Sequence, residues 1–428
     1  MYVLDYTINK NLNQFSNALL EMVLSNTDIK LTKTITSSIE RAVKCFVHNM
    51  HTCVLRKKTY FNITLDRVNY SNAQVVNGRK SNKKISYKYT KLIVDYLVDE
   101  GLIFLEKGGE VVDWWWDDNN SWSPTFSKSY VHINEPLFEM YFLSLEGKVP
   151  CFHYNANVIY VKDRNGKFVT FNMDSFRKEV KTYLQEFNKF SLGVNVTAKD
   201  GGRLDVQQYQ VYNVDFNHGG RSYMKGDVSY QSLSKEERNK VLIDDVKTVS
   251  YDYKGFEPSL LYSLEQEVMS FDDPYDINID KIEEYDQSFF RGLCKRALLI
   301  MLNSESRNKA KLAMNRFIHK KYDIDDLYDN EKIPFKVIPV DDIIKALLVK
   351  HHMVAHKFFC KHGAVLQNSG AKVIDYVVNY FLQRGELCLQ VHDSCRVKHY
   401  LEDDLKRVMK EGWEHVIGFD DNCNVVKE

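Results

Sequence analysis

The sequence predicts an α+β fold in two parts, and three observations carry that prediction. Helical and strand periodicities both occur, in separate blocks along the chain. A helix, a basic turn, a second helix and a two-stranded wing come first. Two apolar β-runs, each ending in an aspartate, come later, on either side of a long helical stretch. At 428 residues there is room for two or three domains with real cores, and the expected division is 1–150 and 151–428.

In the first part, residues 36–56 place Ile39, Ala42, Val43, Phe46 and Val47 on one helical face. After the polar, basic SNAQVVNGRKSNKK, a second stripe of Leu92, Ile93, Tyr96 and Leu97 runs to Gly101, where a helix end wants a left-handed residue. IFLEK, a Gly-Gly turn and EVVDWWW read as a wing, and KSYVHINEPLFEMYF as a closing strand and helix. That order is winged-helix-like and predicts duplex DNA binding through the second helix; a helical adaptor without DNA contact is the alternative. Trp114, Trp115 and Trp116 alternate faces on a strand, so packing is expected for at least one. Next come a strand pair in NVIYVKDRNGKFVTF and a helix in SFRKEVKTYLQEFNKF.

Bulk composition narrows the classes. Apolar residues make up 44% and charged residues 27%, the usual soluble globular range. No run approaches the roughly 20 apolar residues of a membrane span, and MYVLDYTINKN lacks the basic flank and apolar core of a signal peptide. Eight cysteines without a CxxC pair fit reduced thiols, so the expected location is cytoplasmic, with no membrane partner. The net charge is zero, yet cations cluster at Arg56–Lys58, at Arg79, Lys80, Lys83 and Lys84, at Arg291, Lys295 and Arg296, and at Arg307, Lys309 and Lys311. Such clusters permit a polynucleotide partner without demanding one. His356, Cys360 and His362 in HKFFCKH lack a second ligand pair, which favours helical packing over zinc. No phosphate-cradling glycine loop of the Walker type occurs.

The chemistry gathers in the second part. In KTVSYDYKGFEPSLLYSL, Asp252 ends a β-rich run just before a turn and a helix. In GELCLQVHDSCRVKHY, LCLQV runs into His392-Asp393-Ser394 and RVKHY resumes, a hairpin with an aspartate at its tip. Two aspartates so placed on adjacent strands can share two Mg²⁺ ions about 4 Å apart, the geometry of phosphoryl transfer; hard oxygen ligands suit magnesium, with manganese as its substitute. Between them, in FFRGLCKRALLIMLNSESRNKAKLAMNRF, Arg291 and Lys295 fall one helical turn apart and suit a triphosphate. Asn303 lies about two turns further, within reach of a sugar or base. Each piece alone is commonplace; the ordered set is not.

Over roughly residues 200–428 these segments resemble the palm and fingers of phage-type single-subunit RNA polymerases and family A DNA polymerases. DYKGFEPSLL resembles motif A, which implies a metal role for Asp252. FRGLCKRALLIMLN resembles motif B, implying that Arg291 and Lys295 bind the incoming nucleotide. QVHDSCRV resembles motif C, which makes Asp393 the second metal ligand and His392 its neighbour at the nucleotide. NHGGRSY is similar to the element that contacts template, with Asn217 in place of its aspartate and Arg221 kept. LQNSGAKV is similar to the segment before motif C, and Gln367 falls 25 residues before His392, as in the RNA polymerases. The same run of motifs resembles a group of phage and mobile-element proteins.

The resemblance implies a right-hand palm and fingers behind the winged-helix-like part, acting on a DNA template and nucleoside triphosphates, with an accessory subunit left open. Two departures pull apart on the product. Motif C reads HDS, as in the RNA polymerases, whereas Glu257 stands where DNA polymerases keep the glutamate that excludes a 2′-hydroxyl. Asn303-Ser304 replaces the Tyr-Gly of motif B. RNA or primer synthesis is the narrow preference, a compact DNA polymerase is the alternative, and a non-catalytic replication initiator or regulator is the third reading. Paired acids with Lys295 count against that third reading.

Overall fold

The protein mixes helices and sheets throughout. A computed structural model describes residues 12–55, 57–63, 65, 75–76, 79–80, 85–108, 111–116, 122–126, 129–146, 156–224, 229–279, 287–321 and 339–428. Arg56, Lys83 and Lys84, the side chains of Arg79, Lys80 and Trp114–Trp116, the chain start and the expected boundary near 150 lie outside it.

The first part is built on helices α1 (Asn13–Ser25), α2 (Lys33–Leu55) and α3 (Tyr87–Asp99). Helix α2 buries the stripe Ile39, Ala42, Val43, Phe46, Val47 and Met50, the i, i+3, i+4 face that its sequence presents. Gly101 ends α3 at φ 69°, left-handed backbone that costs glycine little. Strands β1 (Tyr60–Ile63), β4 (Ile103–Glu106) and β7 (Ser129–Ile133) form an antiparallel sheet in the order β1-β7-β4. Small hairpins β2 (Val75–Val76) with β3 (Arg79–Lys80), and β5 (Val111–Trp116) with β6 (Trp122–Phe126), leave between these elements. Helix α4 (Glu135–Ser144) closes the unit, and one hydrophobic core joins Leu12 through Leu145.

The second part begins with β8 (Ile159–Lys162) and α5 (Ser175–Ser191), the latter capped by the Asp174 carboxylate accepting from the Arg177 N–H. The expected strand pair closes only at its tip, where Lys162 bridges Phe168. Strand β8 instead pairs in parallel with β10 (Gln208–Asn213), whose other edge carries β11 (Gly219–Met224). This choice buries Ile159 and Val161 in a small core with Leu184 and Tyr212, which a two-stranded ribbon would leave wet.

The largest sheet runs β14 (Leu389–Val391), β15 (Ser394–Lys398), β13 (Val246–Tyr253), β12 (Leu242–Ile243) and β9 (Val196–Thr197), and β16 (Val425–Lys427) adds to β13. Between them fall α6 (Lys235–Arg238), α7 (Phe256–Leu264), α8 (Gln287–Asn303), α9 (Arg307–Lys321), α10 (Val340–Lys350), α11 (Gly363–Gln383) and α12 (Glu402–Ile417). The single helical stretch expected around Asn303 is two helices, because the Ser306 hydroxyl accepts from the Lys309 N–H and starts α9 afresh. Helix α11 sits against α7 and α12. Gly370 makes that approach feasible, since a Cβ there would stand 2.6 Å from the Phe256 ring. No helix of the described residues is long and apolar enough to cross a membrane.

Candidate active site

Two strands meet where the sequence places its acids. Asp252, near the end of β13, pairs across the sheet with Ser394 of β15, so Asp393 stands next to it at the β14–β15 turn. That turn is only His392 and Asp393 long, and His392 takes φ 58° to make it. A non-glycine residue in left-handed backbone costs about 1–2 kcal/mol, strain of the kind held at working sites.

Both carboxyls are pushed above the ordinary aspartate range. For Asp393 the cause is burial first, then the negative charges of Asp252 and Glu257. For Asp252 it is burial first and then Glu428, offset by the Lys295 and Lys235 ammonium groups. One Asp252 oxygen, Oδ1, is buried without a hydrogen-bond partner. Half-buried, mutually repelling carboxylates with a spare, shielded lone pair are what a hard cation neutralises. Among the described residues, no group of three or more His, Cys, Asp or Glu side chains is arranged around a metal position. The fit therefore rests on two carboxylates with substrate oxygens and water completing the shell, the usual manner for magnesium.

Around this pair the chain brings other expected residues. The Arg221 Nη2 donates to Glu257 Oε1 at 3.0 Å, with both side chains 21% exposed. Arg221 reaches the site because Gly219 and Gly220, at φ 79° and 84°, start β11 on a bulge; a Cβ on Gly220 would lie 2.8 Å from the Tyr212 ring. His392 meets solvent at its outer edge, yet packing around the ring and then Arg221 hold its imidazole below the usual range. Lys295, exposed on α8, lies close enough for its charge to act on both aspartates.

Arg291, Asn303 and Gln367 stand further off. Arg291 donates from Nε to Asp273 at 2.6 Å and rests over the Tyr275 ring at 5.2 Å. Asn303 donates to the Leu299 carbonyl and leans on Gly363, on the exposed end of α8. Gln367 is half-buried on α11 beside Asn368, whose amide donates to the Phe216 and Gly219 carbonyls and so fastens α11 to the Arg221 turn. Elsewhere, Lys309 and Lys311 pair with Glu305 and Asp341. His356 meets Glu265 at 2.9 Å.

Two members of the site were missed from sequence. Tyr275 is buried, lies beneath Arg291 and Lys295, and feels the charges of Glu257 and Asp393. Glu428 accepts from the Ser250 hydroxyl at 2.7 Å and pairs with Lys235 at 3.4 Å. It arrives because β16 pairs with β13, a contact between positions 172 to 176 residues apart that no local pattern announces.

No protein-family model matches the chain, and no curated protein matches it. Its backbone is similar to the POL domain of Pol1 from M. smegmatis, a structure in complex with DNA primer-template and dNTP. That comparison takes in 96% of this chain at 13% identity and a TM-score of 0.30, and the chain spans 65% of the other's length. So loose a likeness carries no weight for the site, which stands on its own residues.

Proposed function

We propose that the chain is a template-directed nucleotidyltransferase, with residues 151–428 as palm and fingers and residues 1–150 as a winged-helix-like nucleic-acid-binding part. The observation that carries the reading is the pair Asp252, on β13, and Asp393, at the neighbouring β14–β15 turn, both raised by burial, with an orphaned Asp252 oxygen. On this reading the two carboxylates hold two Mg²⁺ ions, for which Mn²⁺ can stand in. When bound, such ions neutralise charge on the attacking and leaving oxygens of an in-line phosphoryl transfer.

The protein's own groups do the rest. Lys295 and Arg291 hold the triphosphate as point charge and fork, with Tyr275 as the floor beneath them. His392 stands at the turn beside the nucleotide. Arg221 and Gln367, joined through the Asn368 fastening, face a DNA template. Asn303 and Glu257 border the sugar. Ribonucleotide or primer synthesis is preferred, since Asn303 can both donate to and accept from a 2′-hydroxyl. A second reading, a compact DNA polymerase, draws on Glu257, which Arg221 holds in place beside Asp393.

The deciding experiment is extension of a primed DNA template with Mg²⁺ and either ribo- or deoxynucleoside triphosphates. Synthesis that disappears in Asp393→Asn supports the reading. A folded protein inert with both nucleotide classes and both metals overturns it.

A further inference from the structure

The outer face of the N-terminal sheet departs from the usual burial pattern. Along β1, β4 and β7 the inward residues Phe61, Ile63, Ile103, Leu105, Val131 and Ile133 join the core, as strand alternation requires. The outward ones include four rings. Tyr60 and Phe104 each stand directly opposite His132 on the central strand, so the three lie side by side across the sheet. Ring centroids are 5.4 Å apart for Tyr60 and His132, 5.8 Å for Phe104 and His132, and 5.7 Å for Tyr60 and Tyr130. Phe104 is 61% exposed and Tyr60 40% exposed. Among the described residues, no packing covers either ring.

We propose that this row is a stacking platform for single-stranded nucleic acid. Three features select that occupant over a protein partner. The outward positions are Tyr60, Asn62, Phe104, Glu106, Tyr130 and His132, rings and polar groups without an aliphatic side chain, so the face is flat and stackable and has no greasy pocket to fill. Every base has a π-face, so adjacent flat rings serve a strand of any sequence. Cations flank the row: Lys58 Nζ lies 5.8 Å from the Tyr60 ring, and exposed Lys107 follows the end of β4. The acid on the face, Glu106, is engaged by His132 at 2.9 Å. The surface is separate from the second helix, through which the winged-helix reading would bind duplex, and it stands whether or not the palm catalyses.

The test uses the full chain with a fluorescent single strand of about twelve nucleotides and a duplex of the same sequence. Replacing Phe104 and Tyr60 together by alanine should weaken single-strand binding about tenfold or more while duplex binding holds. Phe104→Trp should restore most of the loss that Phe104→Ala causes. A strand carrying 5-iodouracil should photo-crosslink to peptides containing Tyr60 or Phe104. Thermal unfolding confirms that each variant is folded. Unchanged single-strand affinity with crosslinks confined to residues 200–428 overturns the proposal. So does an equal loss for duplex, or a concentration-dependent dimer that Phe104→Ala abolishes without touching oligonucleotide binding.

Discussion

The two sheets of this protein break the burial rule in opposite directions. The sheet carrying Asp252 and Asp393 draws charge into a shielded place, while the N-terminal sheet holds Phe104 and Tyr60 out in water. Around both, ordinary rules are kept: alternation holds in β1, β4 and β7, and the large core behind β13 and β15 is continuous from Phe187 to Trp413. Local violations inside a consistent frame are where function is expected, because something outside the chain must supply the missing compensation. On the two readings proposed above, a cation would supply it for the acids and a flat, stackable ligand for the rings.

The comparison breaks first at the acids. Asp252→Asn or Asp393→Asn should reduce nucleotide incorporation by about a thousandfold or more, since removing a ligand carboxylate leaves the cations under-neutralised. The melting temperature should hold or rise, because mutual repulsion goes with the charge. A variant that unfolds instead would make these acids structural, and the contrast between the sheets would lose its meaning.

A half-buried acid on α11 sharpens the same point. Asp375 on α11 accepts from the Gln210 amide at 2.7 Å, and burial pushes its carboxyl up to about 7. A folded value above the unfolded one means stability that is fully present below about pH 4 and lost as pH rises through 7. Asp375→Asn should therefore stabilise the protein above pH 8 by a few kcal/mol, at most about 4, and leave it unchanged near pH 4. Chemical unfolding across that range measures it. A gain independent of pH would show that the carboxyl's charge is not what strains the fold.

Smaller effects separate phosphate from sugar. Lys295→Ala should raise the apparent requirement for ribo- and deoxynucleotides alike, about tenfold to a hundredfold, as loss of a charged hydrogen bond to phosphate predicts. Steady-state titration of each nucleotide checks that parity. The smallest change is in selectivity: Asn303→Ala should erode a ribonucleotide preference by about tenfold or less. Competition between the two sugars reads it directly. A native preference for deoxynucleotides that fades in Glu257→Ala would reverse the choice of product.

Much of this was open to a reader of the sequence, and the limit follows contact range. Helix α2, the Gly101 stop and the His392-Asp393 turn are local patterns, and each appears where its residues place it. Arg221 could be singled out because Gly-Gly before it marks a special backbone. What stayed hidden depends on pairing across the fold. The parallel partner of β8, the seat of Glu428 beside Ser250 and the alignment of Tyr60 with His132 and Phe104 are matters of register between distant segments. Ser306 was readable as a helix start, and its signal was masked by the unbroken helical pattern on both sides.

The Arg221–Glu257 ion pair has a consequence for timing. On the proposed reading, Arg221 belongs both to the template and to the residue beside the sugar, and a shift toward one loosens its hold on the other. A template strand that draws Arg221 toward its phosphates leaves Glu257 without a counter-charge, next to Asp393, whose carboxyl already feels it. The site then becomes more negative as template arrives, and its appetite for divalent cations rises with it. Cation affinity and template affinity would be linked by one free energy, each strengthening the other by the same factor. The unprimed protein would hold its metals loosely and so be slow to act on nucleotides in the absence of a strand to copy.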